Sequence, residues 1–252
     1  MNMERYQRNY IYLTADQQQQ LAKPRVVLGG VGLGSVVAEV ALRLGFTRFV
    51  LIDGDTVEES NLNRQNYCQS DVGVSKVAAA RERLLAINPE AEVTTFAGYL
   101  TPENLADHLK PGDLAINALD FDTDAPFAFD RHCQSQGIPV IHPLNFGWAG
   151  AAYVVTPDSE TLASLYGPEG RFEFPLIDHT LEQLRERGEM RLAGLEQLRA
   201  EYPKYLPDSP PQLSVGAHLA AALTARLLHQ LALGETVRTF PWPYYTSTES
   251  PG

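Results

Sequence analysis

The 252-residue sequence predicts an α/β fold, a doubly wound and mostly parallel sheet with helices on both faces, extended by antiparallel strands. Three observations predict it. Short β-rich runs alternate with helical stretches, the grammar of a parallel sheet with crossover helices. The stretch "RVVLGGVGLGSVVAEVALRLGF" (25–46) sets a glycine-rich turn between a strand and a helix, the arrangement of Rossmann-like nucleotide-binding sheets. After residue 145 the alternation stops, and "GWAGAAYVVTP" reads as a Gly-rich antiparallel strand.

The elements follow in order. "RVVLG" (25–29) is the first strand, "SVVAEVALRLG" (35–45) its helix, and "RFVLID" (48–53) a second strand ending in an acid. A polar loop, 54–72, is longer than most βα connections. "VSKVAAARERLLAIN" (74–88) is a helix stopped by Pro89, and "AEVTTFAGY" (91–99) a strand. Thr101-Pro102-Glu103 opens a further helix, with Thr101 as N-cap and Pro102 at the first helical position. "DLAINAL" (113–119) and "IPVIHP" are strands flanking a helix over 125–136, and 157–178 is loop-like. The charged stretch 179–205 carries a broken stripe, Leu181, Leu184, Leu192, Leu195 and Leu198, and reads as a solvated surface helix. Pro207, Pro210 and Pro211 mark a loop, 215–233 an apolar core or interface helix, and "TVRTFPWPYY" a final edge strand. No linker interrupts this order, so the expected organisation is one domain over 1–252, with a nucleotide-binding core near 24–155 and a variable region over 156–252.

Composition narrows the function. Apolar residues make up 44% and charged residues 20%, values of a globular protein. A formal charge of −11 argues against sequence-independent nucleic-acid binding, which needs a basic face. His218, Arg226 and His229 argue against a membrane span in the apolar helix. Cys68 and Cys133 form no C-x-x-C pair, and no signal peptide is visible at the N-terminus, so the expected location is the cytoplasm.

The glycines fit no single dinucleotide register. Gly29 and Gly34 at the ends of G-x-G-x-x-G put Val31 in the middle, whereas starting at Gly30 ends the pattern on Ser35. Asp53 closes the second strand 19 residues after Gly34, where an acid accepts hydrogen bonds from a ribose, and this much also suits a nicotinamide enzyme. The loop that follows decides otherwise. "DGDTVEESNLNRQNY" gathers Asp53, Asp55, Asn61, Asn63, Arg64 and Gln65, and "GVSKV" puts Lys76 in the first turn of a helix. A cation at that positive helix end calls for an anion to accept both, and a triphosphate is one. Arg64 and Lys76 would grip phosphates, and Asp120, just past a strand, could hold Mg²⁺ with them.

These residues resemble the ThiF-like, ubiquitin-activating-enzyme-like adenylyltransferases, which include the molybdopterin-synthase and thiamine-biosynthesis activating enzymes. The resemblance begins at "RYQRN" (5–9) and runs through the glycine turn, "LIDGDTVEESNLNRQ" (51–65), "GVSKV" (73–77), "INPEAEV" (87–93) and "LDF" (119–121). It implies ATP-dependent activation of a carboxylate: the C-terminus of a ubiquitin-like protein, a peptide or a small acid. Carried over by motif position, Gly29, Gly32 and Gly34 would lie along the nucleotide and Asp53 would bind the ribose, with Asp55 beside it. Asn61, Arg64 and Lys76 would contact phosphates, and Asp120 would ligate Mg²⁺. Arg8 would reach the site of the other subunit of a homodimer. Nucleic acid is not an expected partner, tRNA-modifying relatives being the exception, and neither is a membrane.

Three departures stand out. Two cysteines cannot supply the Cys₄ structural zinc of many relatives, so no structural zinc is expected, and the cofactors the resemblance implies are ATP and Mg²⁺. Residues 157–252 hold no cysteine for a thioester, which points to an acyl-adenylate as product; Cys68 reads as an ordinary thiol and Cys133 as packing. Val31 stands where a glycine is usual, so either Gly30 and Gly32 supply the permissive torsions or nucleotide binding is weakened. A catalytically degenerate scaffold of the same fold is the alternative. His132 and His142 are assigned to no metal, and Trp148 would line an acceptor cleft or the core.

Overall fold

The computed structural model describes residues 3–166, 171–206 and 209–250. The expected loop residue Pro207 and residues 167–170 of the loop-like stretch lie outside that set. Seven strands form one sheet: β1 (Val26–Gly29), β2 (Arg48–Ile52), β3 (Glu92–Phe96), β4 (Leu114–Asn117), β5 (Val140–Phe146), β6 (Ala149–Val155) and β7 (Tyr244–Ser247). Their order is β3-β2-β1-β4-β5-β6-β7. The first five run parallel, and β5–β6 and β6–β7 pair antiparallel. This is the predicted doubly wound sheet with its antiparallel extension. Its strand order reverses between β1 and β4, the crevice where open α/β sheets bind ligands.

Eight helices accompany the described strands: α1 (Ala15–Leu21), α2 (Gly32–Leu44), α3 (Lys76–Ile87), α4 (Leu105–His108), α5 (Ala125–Ser135), α6 (Glu173–Glu186), α7 (Ala193–Glu201) and α8 (Ser214–Ala232). Side-chain alternation sorts them onto two faces. Val26 and Leu28 point into a core shared with α2, α3 and α8, while Val27 points into one shared with α4, α5 and Leu176 of α6. The apolar stretch read as a core or interface helix is α8. It packs on α2, β5 and β6, and its small residues Ala217, Ala220 and Ala221 let the backbones approach. Arg25 and Asp113, just ahead of the paired strands β1 and β4, form a two-point ion pair at 2.9 and 2.6 Å.

Four local expectations are corrected. Thr101 does not cap a helix: residues 101–104 form a turn in which Asn104 Oδ1 accepts from Thr101 N at 3.0 Å, and α4 begins only at Leu105. The loop-like stretch holds a 3₁₀ turn at Leu162–Leu165 and the start of α6 at Glu173. The final edge strand lies further on, with Tyr244 and Tyr245 as its first residues. The charged stretch is not a solvated surface helix. It breaks at Gly188, whose φ of +73° suits a residue without Cβ. Leu181, Leu184, Leu192 and Leu195 then pack with Phe146, Ala149, Ala151 and Ile177 as a third buried cluster. The leucine stripe is real; its partner face is the end of β5 and the start of β6.

Candidate active site

A cavity of about 800 Å³ opens where the carboxyl ends of β1, β2 and β4 meet. Its floor is the turn between β1 and α2. Gly30 carries the turn with φ +86°, and a Cβ there would meet the Ala118 carbonyl at 2.3 Å. Val31 is the N-cap of α2 at φ −110°, its side chain fully buried in the core and absent from the cavity wall. The extra glycine at 30 thus takes the demanding torsion, and Val31 occupies a conformation that any residue adopts. Gly32 lines the cavity. Gly29 and Gly34 do not: added Cβ atoms would meet Phe129 at 3.0 Å and Leu28 at 3.3 Å, so both permit close packing of strand and helix.

No side chain caps α2. The Val31 N–H donates to Asp53 Oδ2 at 2.7 Å, and Asp53 Oδ1 accepts from Asp55 N at 2.9 Å. Asp53 therefore ties the end of β2 to the turn. The next N–H groups of the first turn have no intrahelical acceptor, and Gly32 and Leu33 lie on the cavity wall. An anion is what such a helix end accepts.

The 54–72 loop wraps the same opening. Asn61 is buried, and its Oδ1 fixes the loop by accepting from Glu58 N at 3.0 Å. Arg64 donates to Gln212 Oε1 (2.8 Å), Ser60 O (2.9 Å) and Asn63 Oδ1 (2.8 Å), all neutral acceptors. Burial pulls the guanidinium down and the charge of Asp120 opposes that pull. Arginine stays charged either way. Lys76 is the first residue of α3, only 9% exposed, with Nζ 2.9 Å from Asp55 Oδ2. The other oxygen of Asp55 accepts from the Tyr99 hydroxyl at 2.7 Å.

Asp120 lines the cavity beyond β4, open to solvent through its mouth. Crowding by protein pushes its carboxyl up, Asp122 adds repulsion and Lys76 opposes both. No cluster of three or more His, Cys, Asp or Glu among the described residues is arranged to hold a metal. A divalent ion at Asp120 would take its remaining oxygens from a ligand and water, the usual mode for Mg²⁺. Among the residues lining the cavity, carboxylates outnumber cations seven to four.

The structure thus brings Gly32, Asp53, Asp55, Asn61, Arg64, Lys76 and Asp120 to one cavity. Arg8 is not among them. Its 3₁₀ helix (Met3–Asn9) packs at the far end of α2, where Tyr6 donates to Leu42 O and Asn9 to Leu44 O. A 13-residue helix is roughly 20 Å long, so Arg8 lies a helix length from Gly32. It is exposed and has no hydrogen-bond or ion-pair partner among the described residues. Trp148 is 51% exposed at the β5–β6 turn and does not line this cavity. His142 Nε2 lies 2.9 Å from Asp130 Oδ1, buried behind the sheet end; Cys68 is exposed and Cys133 buried.

Three further cavity residues shape the site. Gly30, expected with Gly32 as a source of permissive torsions, supplies the turn. Gln65 has a buried, unpartnered Oε1 and an Nε2 that would meet a Cβ on Gly32 at 3.0 Å. Tyr99 lays its ring over Gly54, where a Cβ would meet it at 2.6 Å, forming an aromatic wall beside Asp53. The sequence placed Tyr99 within a strand over 91–99, but β3 ends at Phe96 and Tyr99 lies past it on the cavity wall.

The ThiF family's sequence profile matches residues 6–245, nearly the whole chain. The chain belongs to the ThiF family. This ThiF-family chain is 28% identical over 168 residues to the SAMP-activating enzyme E1 of Haloferax volcanii, covering 65% of this chain and 62% of that protein. It is 31% identical over 161 residues to the sulfur carrier protein ThiS adenylyltransferase of Bacillus subtilis, covering 62% and 48%. The ThiF-family chain thus spans about half to two thirds of the length of these curated relatives. Among solved structures, E. coli MccB with ATP superposes with a TM-score of 0.68 at 21% identity, over 92% of this chain and 64% of that one. That likeness shows the shared fold. No helix among the described residues is long and apolar enough to cross a membrane.

Proposed function

We propose that the chain is an ATP-dependent adenylyltransferase that activates a carboxylate as an acyl-adenylate, releasing pyrophosphate. One observation carries this reading. The uncapped start of α2, Arg64 without a carboxylate partner, Lys76 and Asp120 converge on one cavity at the sheet's switch point. The names of adenylyltransferase and activating-enzyme relatives support it, as does the ATP bound to a protein of the same fold.

In this reading ATP lays its ribose toward Asp53 and Tyr99 and its phosphates toward the α2 turn, Asn61, Arg64 and Lys76. A carboxylate oxygen of the substrate attacks the α-phosphorus in line. The bond from that phosphorus to the pyrophosphate oxygen breaks, and its electron pair leaves with pyrophosphate. A carboxylate is already ionised near neutral pH, so no general base is needed. Bound Mg²⁺ would neutralise charge on the leaving group, held by Asp120. The excess of carboxylates around the cavity favours such a cation, since ATP brings further negative charge into an already acidic site.

The same excess favours Arg8 supplied by a second copy. Beside it Tyr10, Ile11 and Tyr12 are 63%, 85% and 85% exposed, and Ile11 holds φ +77°, costly for a β-branched residue. An exposed apolar strip around a cation with no partner among the described residues suits a homodimer contact. The substrate is a ubiquitin-like C-terminus, a peptide or a small acid, and no thioester step is needed because Cys68 stands off the cavity wall. Hydroxylamine trapping tests this. With ATP, Mg²⁺ and a substrate carboxylate, hydroxamate and AMP form at equal rates and persist in Cys68→Ser. Formation of ADP and phosphate instead of AMP would refute the reading.

A further inference from the structure

The cavity lining continues past the residues proposed to hold the nucleotide and forms an apolar lobe there. Beyond Asp120 its wall passes from Phe121 to Leu144 and Phe146 of β5, then to Ile177 of α6, Leu198 of α7 and the ring of Tyr202. Phe146, Ile177 and Tyr202 are only 6%, 3% and 1% exposed. The polar side chains that the same elements bring to the cavity are engaged or anionic: Asn145 donates to Leu213 O and accepts from Gly147 N, Arg171 holds the Tyr202 hydroxyl and lies 3.8 Å from Asp122, and Glu173 is a carboxylate. The lobe is built by the leucine-striped pair α6 and α7 folding back over the end of β5. The whole cavity, about 800 Å³, falls within the range of roughly 300–1,000 Å³ that holds small ligands. A nucleotide therefore leaves room for one side chain, not for a folded domain.

We propose that the carboxylate activated here carries a bulky apolar group next to its carboxyl carbon, of the phenylalanine or leucine kind, seated in this lobe. The inference rests on the proposed adenylation. A carboxylate that approaches the α-phosphorus between Arg64 and Asp120 places its neighbouring side chain along the wall from Phe121 to Leu198. A glycine terminus leaves that wall unfilled, and an acidic side chain there meets the carboxylate of Glu173. Filling such a pocket is worth roughly 10- to 100-fold in discrimination.

The test uses the full chain and N-acetylated pentapeptides identical except for a C-terminal Phe, Leu, Asn or Gly. N-acetylphenylalanine and 3-phenylpropanoate represent free acids. Carboxylate-dependent pyrophosphate exchange is expected to give kcat/KM at least tenfold higher for Phe or Leu than for Gly or Asn. Leu198→Trp, which fills the lobe, should lower kcat/KM for the Phe probe tenfold more than for the Gly probe. Leu198→Ala, which enlarges it, should move the preference toward a Trp-ending probe. Turnover of the free acids equal to that of the peptides assigns a small acid, and turnover of peptides alone assigns a chain terminus. Exchange that is equal for all probes overturns the apolar lobe and leaves adenylation standing. If no probe supports exchange, saturable thermal stabilisation by the Phe probe, reversed in Leu198→Trp, retains the lobe while adenylation fails. Absence of both effects overturns the inference.

Discussion

Lys76 Nζ sits 2.9 Å from Asp55 Oδ2, a buried ammonium at the positive end of α3 held by a half-exposed carboxylate. The anion that the helix start calls for is, in the free chain, an acid of the chain itself. In the proposed reaction ATP would take up Lys76, with Asp55 keeping the ammonium aimed into the cavity. Lys76→Ala is expected to lower kcat/KM for ATP by about 100-fold or more, the usual cost of removing a charge-stabilising donor. Asp55→Asn should raise KM with a smaller change in kcat. Steady-state kinetics at saturating carboxylate distinguish the two.

Gly30 and Val31 make opposite predictions from adjacent positions. Gly30→Ala places a Cβ 2.3 Å from the Ala118 carbonyl at φ +86°, and should destabilise the fold by about 2–4 kcal/mol. Val31→Gly restores the usual family glycine but empties a fully buried site, at about 2–4 kcal/mol. Urea denaturation is expected to show both losses. ATP affinity of folded Val31→Gly should match that of the parent, because Val31 does not face the cavity.

How far the site was legible follows from these positions. Asp53, Asn61, Arg64 and Lys76 lie on one loop and its flanking elements, so a local motif carried them together, and Asp120 was marked by a strand end. Which glycine takes the positive φ depends on how close β4 brings Ala118, a long-range fact. The inward face of α6 and α7 was hidden for the same reason: the leucine spacing gave a stripe, but only packing on Phe146 and Ala149 says what it covers. Arg8 lies apart from the cavity of its own chain, and only the proposed second copy would bring it to a site.

Protonation of Asp120 should set the acid limb of activity. Crowding raises its carboxyl above the ordinary aspartate range, so the charged form that can hold a cation is lost at a higher pH than for an exposed aspartate. The kcat/KM profile for ATP with Mg²⁺ is expected to fall on the acid side above that range. A limb at the ordinary value would assign it to another group.

Glu39 gives the opposite sign for stability. Its burial alone would raise the carboxyl, but hydrogen bonds from Arg83 and Arg43 hold it below the usual value, and Asn66 donates to it at 3.0 Å. This linkage stabilises the fold above the ordinary carboxylate range and is lost as pH falls through the lowered value. Glu39→Gln should be less stable than the parent at neutral pH by about 1–3 kcal/mol, and the two denaturation curves should converge in acid.

Arg8 acting across a dimer predicts complementation. Arg8→Ala and Asp120→Ala should each be inactive alone. Mixed and allowed to exchange subunits, they should recover about a quarter of the parental rate, since half the dimers are hybrids with one complete site. No recovery, with exchange shown by mass spectrometry, would place Arg8 outside the reaction.

The central claim is that this cavity makes a carboxylate attack the α-phosphorus of ATP. Exchange of labelled pyrophosphate into ATP, measured with Mg²⁺ and the carboxylate panel, tests it most directly. The expected result is label in ATP only when a carboxylate is present, abolished in Asp120→Ala. Saturable ATP binding with no exchange for any carboxylate, or exchange that persists in Asp120→Ala, would contradict it.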